Sequence, residues 1–209
     1  MPTAPGPIEP AVVELDETIT VWVASGFGTR EEIVRSAVWI ARNLLGKHKY
    51  TDQVLQPHAE RLFDERLREH LERQQTWPAI TDCDRLDAAL VELEQRGVIA
   101  RQCWGDDVTD GGAGIWCDAL PVSQEAGRQV RGYVFYDEQS TASAVKGEEL
   151  VLICGSIPSE AGRGGKPATS QVQQLAIDAL RSQGLQGRVE GPYGVAVQLD
   201  WKRRRAAAE

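Results

Sequence analysis

Thr81 to Trp116 reads TDCDRLDAALVELEQRGVIARQCWGDDVTDGGAGIW, a helix running into a strand with almost no connection between them. Leu86, Ala89, Leu90 and Leu93 recur at helical spacing, Asp82 or Asp84 is placed to cap the start, and Gly97 is placed to close the end. Val98 to Cys103 then reads as a strand, and Gly105 to Gly114 as a loop rich in glycine and aspartate. A helix delivered straight into a strand argues for helices layered on a sheet.

Working outward, strands are expected near Arg131 to Asp137 and Leu150 to Ile157, with a short helix over Ser140 to Val145 between them. A helix over Thr169 to Ser182 and a closing strand pair near Gly187 to Glu190 and Gly194 to Trp201 complete this half. Upstream, Thr29 and Glu32 form a capping box for a helix whose Ile33, Ala37, Ile40, Ala41 and Leu44 share a face, with Gly46 at its end. A second, charge-dense helix is expected over Pro57 to Gln75, with Leu62, Phe63, Leu67 and Leu71 as its narrow stripe. Ile19 to Ala24 (ITVWVA) is β-rich and reads as a strand. The first 16 residues hold four of the ten prolines and show no period, so they read as a flexible arm. The expected product is an α+β fold, a mixed or antiparallel sheet of about five strands with N-terminal helices packed on it. Its parts are an arm over 1–16, a helical region over 17–78 and an α+β domain over 79–205, the last two sharing one compact unit.

With GYVFYDEQST (Gly132 to Thr141), LDWKRRR (Leu199 to Arg205) and ASGFGTREEIV (Ala24 to Val34), the opening stretch resembles an uncharacterised bacterial family classed as a domain of unknown function. The resemblance covers nearly all of the chain after about residue 17 and implies kinship without an activity. Typical members follow a GIVARQ strand with a CCxxC cluster, where this chain has Cys103-Trp104-Gly105-Asp106-Asp107. If that cluster holds zinc in the family, its loss here disfavours a zinc site, because the replacing carboxylates suit harder ions.

The net charge is -8, and residues 202–209 carry four positive and one negative side chain, so residues 1–201 carry -11. Such a body repels nucleic acid, which weighs against a winged-helix DNA binder despite the helix-to-strand step. The Lys202 to Arg205 run reads as a solvated tail. No apolar run spans a bilayer and the first residues lack a leader pattern, so the expectation is a cytoplasmic protein, with its four irregularly spaced cysteines as thiols.

Asp106, Asp107 and Asp110 offer hard oxygen ligands for a cation, but Val108 and Cys117 stand where a calcium loop needs oxygen donors, and Asp and Gly also make ordinary turns. Gly155 to Lys166 follows a strand as phosphate loops do, yet Glu160 and Pro167 break that motif and leave Arg163 and Lys166 as the anion-facing candidates. Tyr136 and Gln139 mark a strand end that can line a ligand pocket. His70 falls on the apolar stripe of the second helix and reads as a packed, hydrogen-bonded histidine. Trp39 lies opposite the Ile33, Ala37 and Leu44 stripe, between Arg35 and Arg42, a composition favoured at protein interfaces. No nucleophile elbow or paired acid and base is placed by spacing, and no cofactor motif occurs. The expectation is therefore a non-catalytic interaction module, an acidic immunity-type or regulatory protein binding a basic partner protein through Trp39, Arg35 and Arg42. The alternative is a ligand- or metal-binding enzyme domain using the Asp106 to Asp110 loop.

Overall fold

The computed structural model describes residues 8–46, 49–109, 111–112, 114–115, 130–157 and 169–205. It divides into two compact units, one formed by 1–78 with 202–209 and the other by 79–201.

The first unit contains α1 (Glu9–Ser25), α2 (Arg30–Leu45) and α3 (Asp52–Gln74). From Glu9 onward the expected arm is helical, and the expected ITVWVA strand lies wholly within α1, while residues 1–7 of the arm lie outside the described residues. Pro10 sits in its first turn, where a missing N–H costs nothing, and Ala11, Leu15, Ile19 and Val23 are buried at a spacing of four residues. The β-branched residues between 19 and 23 disfavour a helix only mildly, so tertiary burial of that stripe decides the outcome. Gly26, with φ 83°, ends the helix in the left-handed region that glycine accepts most readily. In α2 the Thr29/Glu32 capping box forms as expected, but the buried stripe is Ile33, Val34, Ala37, Val38 and Ala41. Leu44 is 66% exposed rather than in the core. Helix α3 starts five residues before Pro57, which therefore lies inside it. The three helices share one core, reinforced by a bidentate pair from Arg66 to Asp16 that ties α3 to α1 at 2.7 Å.

The Lys202 to Arg205 run is not a solvated tail. The Arg205 guanidinium donates to the carbonyls of Trp22 and Phe27 at 3.1 Å, Val23 at 3.4 Å, and Gly28. Gln74 brackets the Arg205 backbone, accepting from its N–H at 2.9 Å and donating to its carbonyl at 3.1 Å. The Arg203 guanidinium lies 4.7 Å above the Phe27 ring. Its aliphatic stem crosses Gly26, where any Cβ would collide with it.

The second unit is α+β. Helix α4 (Asp82–Gln95), capped by a Thr81/Asp84 box and followed by Gly97 at φ 79°, leads into β1 (Val98–Arg101). There follow β2 (Gly132–Phe135), α5 (Glu138–Val145), β3 (Leu150–Ser156), α6 (Thr169–Ser182), β4 (Gly187–Glu190) and β5 (Gly194–Val197). The mixed five-stranded sheet has the order β1-β2-β3-β5-β4. Strands β1 and β2 run parallel with Val98 opposite Gly132, and the remaining neighbours are antiparallel. Helices α4 and α6 pack on each other, and α6 lies across β2, β3, β5 and β4. Strand β1 stops before Cys103, whose φ of 47° takes the chain out of the extended region.

Candidate functional site

Helices α2 and α3 run antiparallel, and ion pairs at two levels fix their register. Arg30 forks onto Asp64 with both bonds at 3.1 Å, and Arg42 reaches Asp52 at 2.6 Å. Between these levels lies a groove of about 600 Å³. Val34 and Val38 form its apolar floor, Gln56 and Glu60 stand on the α3 side, and Arg35 and Trp39 on the α2 side. Trp39 is 65% exposed, because the stripe that α2 buries centres on the opposite side of the helix. Arg35 contacts Glu31 at 3.7 Å and is otherwise open to solvent. The Arg42 Nε is buried and has no hydrogen-bond partner among the described residues, although its Nη1 holds Asp52. The structure thus brings Trp39, Arg35 and Arg42 together on one groove. The sequence placed Trp39 off the core face but gave no sign of the α3 wall, which depends on a helix beginning five residues earlier than its proline suggests.

The carboxyl ends of β1 and β2 form a second cluster, in the α+β unit. The Trp104 N–H donates to the Tyr136 carbonyl at 2.9 Å, and the Glu138 N–H donates to the Gly105 carbonyl at 3.1 Å, stitching the two loops together. Burial pushes the Glu138 carboxyl above its ordinary value, and the neighbouring Asp106 and Asp137 carboxylates push it the same way. Asp107 accepts the Thr109 N–H at 2.7 Å through its side chain and the Gly111 N–H at 2.9 Å through its carbonyl, so it starts a helical turn. Asp110 lies outside the described residues, as do Arg163 and Lys166. Among the described residues no group of three or more His, Cys, Asp or Glu side chains could hold a metal.

Tyr136 is fully buried, its hydroxyl donates to Gln102 Oε1 at 2.8 Å, and its ring meets Trp201 edge-on at 6.3 Å. Gln139 is exposed on α5. The cap of α5 is Asp137, which accepts the Ser140 N–H at 2.7 Å, while the Ser140 hydroxyl exchanges bonds with the Val151 backbone on β3. Burial pushes the Cys154 thiol up to about 12, leaving it protonated and unreactive at neutral pH. His70 is buried as expected, with Nε2 at 3.1 Å from the Arg203 carbonyl and its ring edge-on to Trp77 at 5.2 Å. Burial lowers its pKa, the Arg203 carbonyl opposes that shift, and the charges of Arg73 and Arg205 add to it.

The helical unit, with residues 202–209, carries 13 acidic and 13 basic side chains, whereas residues 79–201 carry 18 acidic against 10 basic. All of the net -8 therefore belongs to the α+β unit. Among the described residues no helix is long and apolar enough to cross a membrane.

A model of the family described as Domain of unknown function (DUF6891) matches residues 9–205. No curated protein and no solved structure matches the chain. The chain belongs to this domain family of unknown function.

Proposed function

We propose that the chain is a non-catalytic, cytoplasmic protein-interaction module that seats a partner protein in the groove between α2 and α3. The observation that carries this reading is Trp39, a large aromatic left 65% exposed at the rim of a groove with an apolar floor. Covering the exposed part of an indole contributes about 3 kcal/mol at roughly 25 cal/mol per Å², enough to make it the central anchor of a contact. The buried Arg42 Nε supplies a donor that a carbonyl or carboxylate oxygen of the partner would satisfy. The groove's own charges are mixed, so attraction of a basic partner would come from the -8 carried by residues 79–201. An acidic immunity-type or regulatory protein fits that division, with charge speeding encounter and Trp39 slowing release.

Affinity capture at low and high salt, using the whole chain and its Trp39→Ala variant, tests the reading. The expected result is a stoichiometric basic partner whose affinity falls about 100-fold on loss of the indole, the equivalent of about 3 kcal/mol. Equal capture by both forms would overturn it.

A second reading rests on the acidic cluster at the carboxyl ends of the parallel strands β1 and β2, where open sheets commonly place ligands. Here Glu138, whose carboxyl is pushed above its ordinary value by burial and by the Asp106 and Asp137 carboxylates, would serve a small ligand, with Asp106 beside it. A thermal-shift panel of Mg²⁺, Ca²⁺, Mn²⁺ and nucleotides tests it, since a ligand at 100 times its Kd stabilises by about 2.7 kcal/mol. Silence across the panel would remove this reading.

A further inference from the structure

Strand β4 forms one edge of the sheet, and among the described residues no strand pairs with its outer side. Arg188, Val189 and Glu190 are exposed, Val189 to 55%. Edge strands are normally blunted by proline, a bulge or charges that resist pairing. Between Gly187 and Glu190 there is no proline, and the register with β5 runs without a bulge. The charges present are of opposite sign and lie symmetrically about Val189.

We infer that β4 is a homodimerisation edge, at which two copies pair their β4 strands antiparallel about a twofold axis through Val189 and extend the sheet from five strands to ten. An isologous contact requires a patch complementary to itself, and Arg-Val-Glu meets that condition. In this register Arg188 lies opposite Glu190 of the second copy and Val189 opposite its counterpart, with Cβ atoms about 4.5–5.5 Å apart. Within one copy Arg188 already bonds Glu190, and Glu149 at 2.6 Å. Pairing two copies closes these groups into a square of alternating sign. Registers centred on Arg188 or on Glu190 would set like charges opposite each other, so the side chains select the Val189-centred one. The unit's charge of -8 opposes self-association at long range, but salt screens it beyond about 8 Å while the directly opposed pairs persist. A four-residue edge gives a weak contact, so dimerisation is concentration-dependent.

Sedimentation equilibrium of the full chain at about 0.15 M salt, up to about 0.5 mM protein, reads the contact directly. The chain is expected to dimerise, with Arg188→Glu and Glu190→Arg each weakening association by about tenfold or more. An equimolar mixture of those two variants is expected to recover it as a heterodimer, because one copy then offers two carboxylates and the other two guanidiniums, and every opposed pair is again of opposite sign. Trp39→Ala is expected to leave the dimer unchanged. A chain that stays monomeric throughout, single variants that dimerise as well as the parent, or a mixture that fails to recover association would each overturn the inference.

Discussion

The Arg205 guanidinium fills the space where α1 ends, among the backbone oxygens of Trp22, Val23, Phe27 and Gly28. Those carbonyls lie at or just beyond the negative end of the helix dipole, and the last turn of α1 contains no basic residue of its own. A cation from elsewhere in the chain therefore does what a local Lys or Arg usually does. Truncation by Arg205→Ala should destabilise the helical unit by about 2–4 kcal/mol in urea unfolding, because it removes charge-assisted bonds and strands half-buried carbonyls. Arg205→Lys should recover only part of this, since an ammonium keeps the charge without the planar fork. Nearby His70 sets a pH dependence. Its folded pKa lies below its ordinary 6.5, so between the two values the unfolded chain binds more protons and stability rises with pH. The contribution is complete above about pH 6.5 and is lost as pH falls through the folded value. Unfolding measured from pH 7.5 down to 5.5 should show this slope, and His70→Gln should remove it.

Among the elements, α1 and α2 mark where the sequence was readable and where it misled. Helix α2 announced itself through Thr29, Glu32 and a periodic stripe, and α4 did so through four apolar positions and Gly97, although its N-cap is Thr81, with Asp84 answering from inside the helix, rather than the expected Asp82 or Asp84. Helix α1 did not, because its ITVWVA segment has strand composition and its stripe begins among prolines. The clue lay in Ala11, Leu15, Ile19 and Val23 taken together, a four-residue spacing that continues through the supposed arm. Leu15→Ala or Ile19→Ala should therefore cost about 2–4 kcal/mol, while Val13→Ala, at a position 56% exposed, should cost under about 0.5 kcal/mol. A disordered arm would make Leu15→Ala neutral. Pro57, inside α3, deprives that helix of one backbone bond, so Pro57→Ala should raise stability by about 1–3 kcal/mol in the same assay. The Trp39 groove was half legible for the same reason as α2: periodicity placed the indole off the core face, but the opposing wall required the true start of α3.

The whole molecule is a discontinuous arrangement, with residues 79–201 inserted between the helices of the first unit and its last segment. Nothing local in LDWKRRR revealed that return, since a basic run has no period and its partners are backbone oxygens more than 170 residues away. The sheet was legible because its strands are short runs rich in β-branched and apolar residues and punctuated by glycine, whereas the strap exists only in the tertiary structure. Removing residues 202–209 should lower protection of α1 and α3 amides in hydrogen exchange by about 2–4 kcal/mol and leave β3 and β5 unchanged. Equal loss in both units would mean that they unfold as one. The segregation of charge belongs to this scale too: salt should change the stability of residues 79–201, which carry the whole -8, more than that of the neutral helical unit.

The return of the chain also puts a clock on the helical unit. Gln74 and Arg205 are 131 residues apart, so at about 5–20 residues per second a ribosome needs roughly 7–26 s to supply the arginine after it has made the glutamine. Helices form and collapse in far less than a millisecond, so α1, α2 and α3 assemble early and wait with the end of α1 open. During that interval the nascent chain presents an uncapped anionic niche, and it is shut only when Arg205 has been made and has reached those carbonyls.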